Sequence, residues 1–299
     1  MSNKILLAAL CILSFSAMAG AEGWEKAADV NLSLNQSGYS DSWTGGEFGA
    51  INWTFNANLN AAKSLSDTWR SENNLKLSYG QTHSQYLDGA GARAWASPEK
   101  SADRIFFESL LKMTLGKFAN PYGAFTLESQ FLDSSDALGR DLMFNPMKLS
   151  ESVGLGRTFV EAENEKLFSR VGFSLRQNMV KTFENTTDET DETTASMTSN
   201  DGGIEWVTDY ERSYSETLKL VSKLRAFKAL YYSESDALVG LANEDYWKAV
   251  DLSWETTLTA SVAKYVQVNL FFELLYDKEV ELRGRYRETL GLGLTYQLF

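Results

Sequence analysis

The chain has 299 residues, with 28 Lys plus Arg against 40 Asp plus Glu, a formal net charge of −12. That balance argues against a nucleic-acid partner, which needs a clustered basic face, and an apolar content of 43% excludes an intrinsically disordered chain. A single Cys and a single His argue against a His-based metal cluster or a relay of several histidines, and no cofactor is expected.

The chain opens on a short positive segment, Met1-Ser2-Asn3-Lys4, then a nearly unbroken apolar run from Ile5 to Phe15, then Ala17-Met18-Ala19. This is the order of a cleaved export signal over residues 1–19, because the apolar run falls short of the roughly 20 residues a spanning helix needs. Cys11 sits inside that run behind Leu10, which argues against lipid attachment there. Residues 20–26 are expected to be a short periplasmic segment, and 27–299 a single domain. No later stretch is apolar enough to span as a helix, so a membrane location requires strands.

From residue 27 the hydrophobic period is two. Ile51, Trp53, Phe55, Ala57, Leu59 and Ala61 alternate with Asn52, Thr54, Asn56, Asn58 and Asn60. Near the C-terminus Tyr286, Leu290, Leu292, Leu294, Tyr296 and Leu298 alternate with polar residues and glycines. Such runs are strands, since a helix repeats at three and four. Twelve segments of this kind are expected, at about 27–36, 48–61, 67–83, 103–115, 122–132, 149–160, 167–179, 203–211, 215–229, 246–261, 265–276 and 285–299. Their connections alternate between short and long, notably Ser84 to Asp103 and Lys181 to Gly202 among the long ones. Pro98, Pro121 and Pro146 are all expected in connections.

The expected fold is therefore all-β: a transmembrane antiparallel up-and-down β-barrel of about 12 strands, with short turns and both termini on the periplasmic side. Trp69, Trp206, Tyr210, Tyr246, Trp247, Tyr265, Tyr276 and Tyr286 collect near the ends of segments, where the two bilayer interfaces would lie. The polar face is then the lumen. Arg70, Glu72, Lys76, Lys112, Glu128, Lys223, Arg225 and Glu255 are the lumen-lining candidates that would set selectivity, and both signs are present in near balance. Much of the chain's acidity falls instead in Lys181 to Gly202, where Glu184, Asp188, Glu189, Asp191, Glu192 and Asp201 stand against one Lys. A mobile, solvated outer loop is expected there.

The N-terminal third carries a resemblance. Gly23-Trp24-Glu25-Lys26, Asn31-Leu32-Ser33-Leu34-Asn35-Gln36-Ser37, Trp43-Thr44-Gly45-Gly46-Glu47 and the run from Trp69 to Gly80 resemble the exported, uncharacterised family called domain of unknown function 3078. The likeness is clearest over residues 23–80, with a further echo in Gly291-Leu292-Gly293-Leu294-Thr295-Tyr296. It implies an outer-membrane barrel of a Gram-negative bacterium and supplies no catalytic residues. Outer-membrane barrels often end in Phe after alternating apolar positions, so Tyr296 and Phe299 are candidates for an insertion signal, although the apolar row runs through Leu298, one place out of step.

His83 is the natural place to look for catalysis, with Ser84 beside it. Adjacent strand residues face opposite sides, so the two make no nucleophile–base pair, and no enzyme is expected. His83 is expected on the lumen side with Arg70 and Lys76. The Trp43–Glu47 turn is read as a tight first loop, and the Asp188–Glu192 run lacks the glycine and spacing of a Ca²⁺ loop. The leading functional expectation is a passive small-solute channel or binding conduit. The alternative is a structural or surface-recognition barrel acting through its outer loops. The expected partners are outer-membrane lipid, the insertion machinery and a small solute.

Overall fold

A computed structural model of the protein describes residues 23–40, 47–116 and 118–297. The expected signal over 1–19, Cys11, the Trp43–Gly46 turn and Phe299 lie outside the described residues. Fifteen strands follow in order: β1 (Glu25–Ser37), β2 (Ala50–Ser64), β3 (Trp69–Leu87), β4 (Arg93–Trp95), β5 (Glu99–Met113), β6 (Asn120–Ser129), β7 (Leu132–Asp133), β8 (Leu142–Met143), β9 (Met147–Ala162), β10 (Glu165–Phe183), β11 (Thr194–Ser213), β12 (Leu218–Tyr232), β13 (Val250–Ala263), β14 (Val266–Tyr276) and β15 (Arg285–Gln297). Twelve of them close into a ring, β1-β2-β3-β5-β6-β9-β10-β11-β12-β13-β14-β15, in which β15 pairs antiparallel with β1. The short strands β4, β7 and β8 decorate the long connections at one end. Closure removes sheet edges, which is the condition for strands to stand in hydrocarbon.

All twelve expected segments are present, with two informative differences. The segment expected at 203–211 begins at Thr194, and its partner β10 runs to Phe183, so most of Lys181–Gly202 is a paired hairpin rather than an unpaired loop. A hairpin that rises past the lipid meets water on both faces, so its sequence has no apolar alternation to announce it. Pro121 lies inside β6, opposite Leu155 of β9, rather than in a connection. It is tolerated because pairing with β5 begins only at Tyr122, so the missing N–H faces no partner strand. Tyr246 and Trp247 sit in a one-turn 3-10 segment just before β13.

The two faces of the wall are inverted relative to a water-soluble protein. On three neighbouring strands the outward residues Val153, Leu155, Val171, Phe173, Ile204 and Trp206 are between 44% and 64% exposed. The inward residues Arg170, Ser174, Glu205 and Val207 are 3% exposed or less. Several outward hydroxyls and indoles satisfy one another: Ser169 and Thr208 hydroxyls are 2.9 Å apart, Ser222 and Thr256 are 2.8 Å apart, and the Trp206 and Trp254 indoles donate to Ser169 and Ser222. Water would make such pairing unnecessary, whereas hydrocarbon leaves a polar group no other partner. Such an exterior suits a lipid-facing wall.

Candidate functional site: a charged lumen bridged at its waist

Directly opposed residues on antiparallel strands share a face, so the register assigns every side chain to the lumen or the exterior. The row Asn31–Asn56–Ser78–Arg104 is inward, as is Asp29–Asn58–Lys76. By the same register Arg70, Glu72, Lys76, Lys112, Glu128, Lys223, Arg225 and Glu255 all point inward. His83 does not. It stands opposite Ile51 on β2, in the outward row, and is thus on the other side from Arg70 and Lys76. The β2–β3 ladder has no bulge, and an odd offset from Lys76 on an unbroken strand must change face.

The inward charges form two linked clusters. In the first, Arg104 on β5 approaches Glu255 of β13 at 2.6 Å, Glu128 of β6 at 3.2 Å and Glu273 of β14 at 3.8 Å. Lys76 also reaches Glu255, at 3.4 Å, and Arg287 reaches Glu273 at 2.6 Å. In the second, Glu108 of β5 is surrounded by Lys223 at 2.6 Å, Arg170 at 2.9 Å and Arg225 at 3.4 Å. Lys223 in turn meets Asp209 at 3.3 Å, and Arg225 meets Glu205 at 3.7 Å. Nearer the short-turn end Glu72 holds Lys112 and Arg70, and Arg70 also pairs with Glu25.

These are not neighbours on one wall. Around the ring, five strands separate β5 from β13 by either path, so the Arg104–Glu255 pair spans the barrel between opposite walls. Side chains reach across that section. Aromatic rings fill the space between the charges: Arg104, Lys76 and Lys223 each lie within 6 Å of the Phe106 ring centre, and Arg170 stands 5.5 Å from that of Tyr122. Below them Leu110, Tyr122 and Phe168 make a small apolar cluster. Two inward glycines make room for it, since a Cβ on Gly156 would come within 2.6 Å of the Phe168 ring and one on Gly172 within 2.6 Å of the Tyr122 hydroxyl. Arg104 is not among the eight lumen-lining candidates read from the sequence. Its place in the inward row with Glu108 and Lys112 was the available signal.

At the long-loop end a second constellation binds two connections together. Arg140, between β7 and β8, pairs with Asp136 at 2.9 Å and donates to the carbonyls of Asn185, Asp188 and Asp191 at the tip of the β10–β11 hairpin. The Arg140 guanidinium holds the Asp136 carboxyl below its ordinary range. Asp188 and Asp191 are lowered as well, by hydrogen bonds from Thr190 and Thr193 that commit their oxygens to the turn. Among the described residues no group of three His, Cys, Asp or Glu is arranged to hold a metal ion. Arg140→Ala is expected to free the hairpin tip, so that a glutamate-specific protease cuts at Glu184, Glu189 or Glu192 about ten-fold faster while the barrel melts unchanged. Unaltered cleavage would show that Arg140 does not hold the tip.

The family model described as "Protein of unknown function (DUF3078)" matches residues 34–134, about a third of the chain. The resemblance seen over 23–80 is thus upheld from residue 34 onward and extends past it to the β6–β7 region. No curated protein sequence matches the chain. Among solved structures, the translocator domain of the autotransporter NalP from Neisseria meningitidis aligns with 98% of this chain and 94% of its own, at 10% identity and a TM-score of 0.38. An outer-membrane channel from Pseudomonas putida F1 aligns over 92% and 94%, at 12% identity and a TM-score of 0.40. A Pseudomonas aeruginosa FadL homologue aligns over 92% and 78%, at 12% identity and a TM-score of 0.37. Likeness this low carries no functional argument, so function is argued from the chain's own geometry.

Proposed function

We propose that the protein is a bacterial outer-membrane conduit for small polar solutes, closed at rest by the ion pairs that cross its waist. The observation that carries this reading is the Arg104–Glu255 bridge between opposite walls together with its redundancy. Glu255 has two cationic partners, Arg104 has three acidic ones and Glu108 has three cationic ones. The Arg104–Glu255 link can part while Glu128 and Glu273 still compensate Arg104 and Lys76 still compensates Glu255, which lowers the cost of opening. An inert scaffold gains nothing from such a lattice, since well-packed apolar residues stabilise an interior as well or better. Arg70, Glu72, Lys76, Lys112, Glu128, Lys223, Arg225 and Glu255 then set selectivity, the long-loop end faces outside, and the last strand with Tyr296 is read by the insertion machinery. Tyr296 stands in the outward row, stacked 6.2 Å from Tyr265.

The docking of two outer connections by Arg140 favours the second reading, a non-transporting barrel that acts through its loops. Recordings in planar bilayers separate the two. The wild type is expected to be mostly closed, and Glu255→Gln to raise the open fraction about ten-fold, equivalent to about 1.4 kcal/mol. Arg225→Gln should shift selectivity toward cations. Silence from the folded wild type and from both variants would overturn the conduit in favour of the scaffold.

A further inference from the structure

The ring is closed unevenly. The β1–β2 ladder runs the full length of β1, from Glu25 to Ser37, and β14 pairs with β15 from Leu294 to Arg285. The β1–β15 seam pairs only from Asp29 opposite Gln297 to Ser33 opposite Gly293. If that register continued, Leu34 would stand opposite Leu292, Asn35 opposite Gly291, Gln36 opposite Leu290 and Ser37 opposite Thr289. None of these pairs forms, although all eight residues belong to their strands. The short-turn half of the seam is locked by Asn31, which donates to the Thr295 hydroxyl at 2.8 Å and is 7% exposed. The long-loop half is parted, above the bridged waist.

The chemistry of the two sides of this gap differs. Outward stand Leu34, Leu290 and Leu292, each at least 60% exposed. Inward, Asn35, Ser37, Thr289 and Gly291 leave a small, polar edge, and Arg287 and Arg285 follow on β15. Arg287 is engaged by Glu273, whereas Arg285 makes no ion pair among the described residues. We propose that the long-loop half of the β1–β15 seam is a lateral doorway through which an amphiphile with an anionic head and an apolar tail passes between the barrel interior and the surrounding lipid. The head is received by Arg285, and the tail leaves between Leu34 and Leu290. This rests on the exterior being lipid-facing but not on axial conduction through the waist.

The wild type in lipid nanodiscs supplies the first test. Amides of 34–37 and 289–292 are expected to exchange hydrogen about ten-fold faster than those of 29–33. Equal protection overturns the proposal, and so does protection that appears only at high protein concentration, which would mean that a second copy covers the edge. The second test uses a diazirine-bearing dodecanoate as photolabel. Label should concentrate on 34–37 and 285–292, be displaced by unlabelled dodecanoate but not by dodecyltrimethylammonium, and fall about ten-fold when Asn35→Cys and Gly291→Cys are joined by a bifunctional thiol reagent. Uniform labelling of the outward faces, or labelling that survives closure, overturns the doorway. Ion conductance recorded on the same cross-linked protein should be unchanged, so that failure of the doorway and failure of the conduit are read separately.

Discussion

Arg104→Ala is expected to destabilise the barrel by about 3–5 kcal/mol, toward the lower end because the Arg104 side chain keeps 17% exposure. Removing this cation leaves Glu128 without it and leaves Glu255 and Glu273 to Lys76 and Arg287 alone. The loss is less the value of one bridge than the cost of carboxylates held in a packed interior with too little positive charge. Urea unfolding in lipid vesicles, followed by tryptophan fluorescence, measures it. Glu255→Arg combined with Arg104→Glu should recover much of the loss by re-forming the bridge with its ends exchanged. A folded Arg104→Ala barrel of wild-type stability would mean that the cross-lumen pair does not hold the walls together.

The second large effect is expected one residue away from Arg170. Val171 lies outward on β10 at 51% exposure, beside an arginine that is 2% exposed. Val171→Arg is expected to cost about 2–4 kcal/mol, because it places a cation at the mid-depth of a hydrocarbon-facing wall. In a water-facing barrel the same exposed substitution would stay within about 0.5 kcal/mol of neutral. Adjacent positions, one requiring arginine and the other rejecting it, thus report which medium bathes the exterior. A negligible change in the same vesicle assay would remove the lipid-facing assignment and the functional readings built on it.

Much of this architecture was legible because a strand in a two-sided wall must alternate. Ile51 to Ala61 against Asn52 to Asn60 shows the two media without any tertiary information. The register puts the eight charged candidates on one face and His83 on the other, where a single count of parity was lost over a long strand. The alternation fell silent where both faces meet water, which is why the hairpin from Thr194 was read as loop, while Pro121 was assigned to a connection because a proline is seldom found inside a paired strand.

The chain's own residues determined the strand count, the alternation of short and long connections and the division into an apolar wall and a charged lining, since each follows from local period and composition. Only the closed ring decided that Arg104 meets Glu255, that Arg140 gathers the tip of a distant hairpin and that the β1–β15 seam stops at Ser33. Those contacts join residues brought together by closure and register. Period along a strand says which side a side chain takes, but not which residue waits across the lumen.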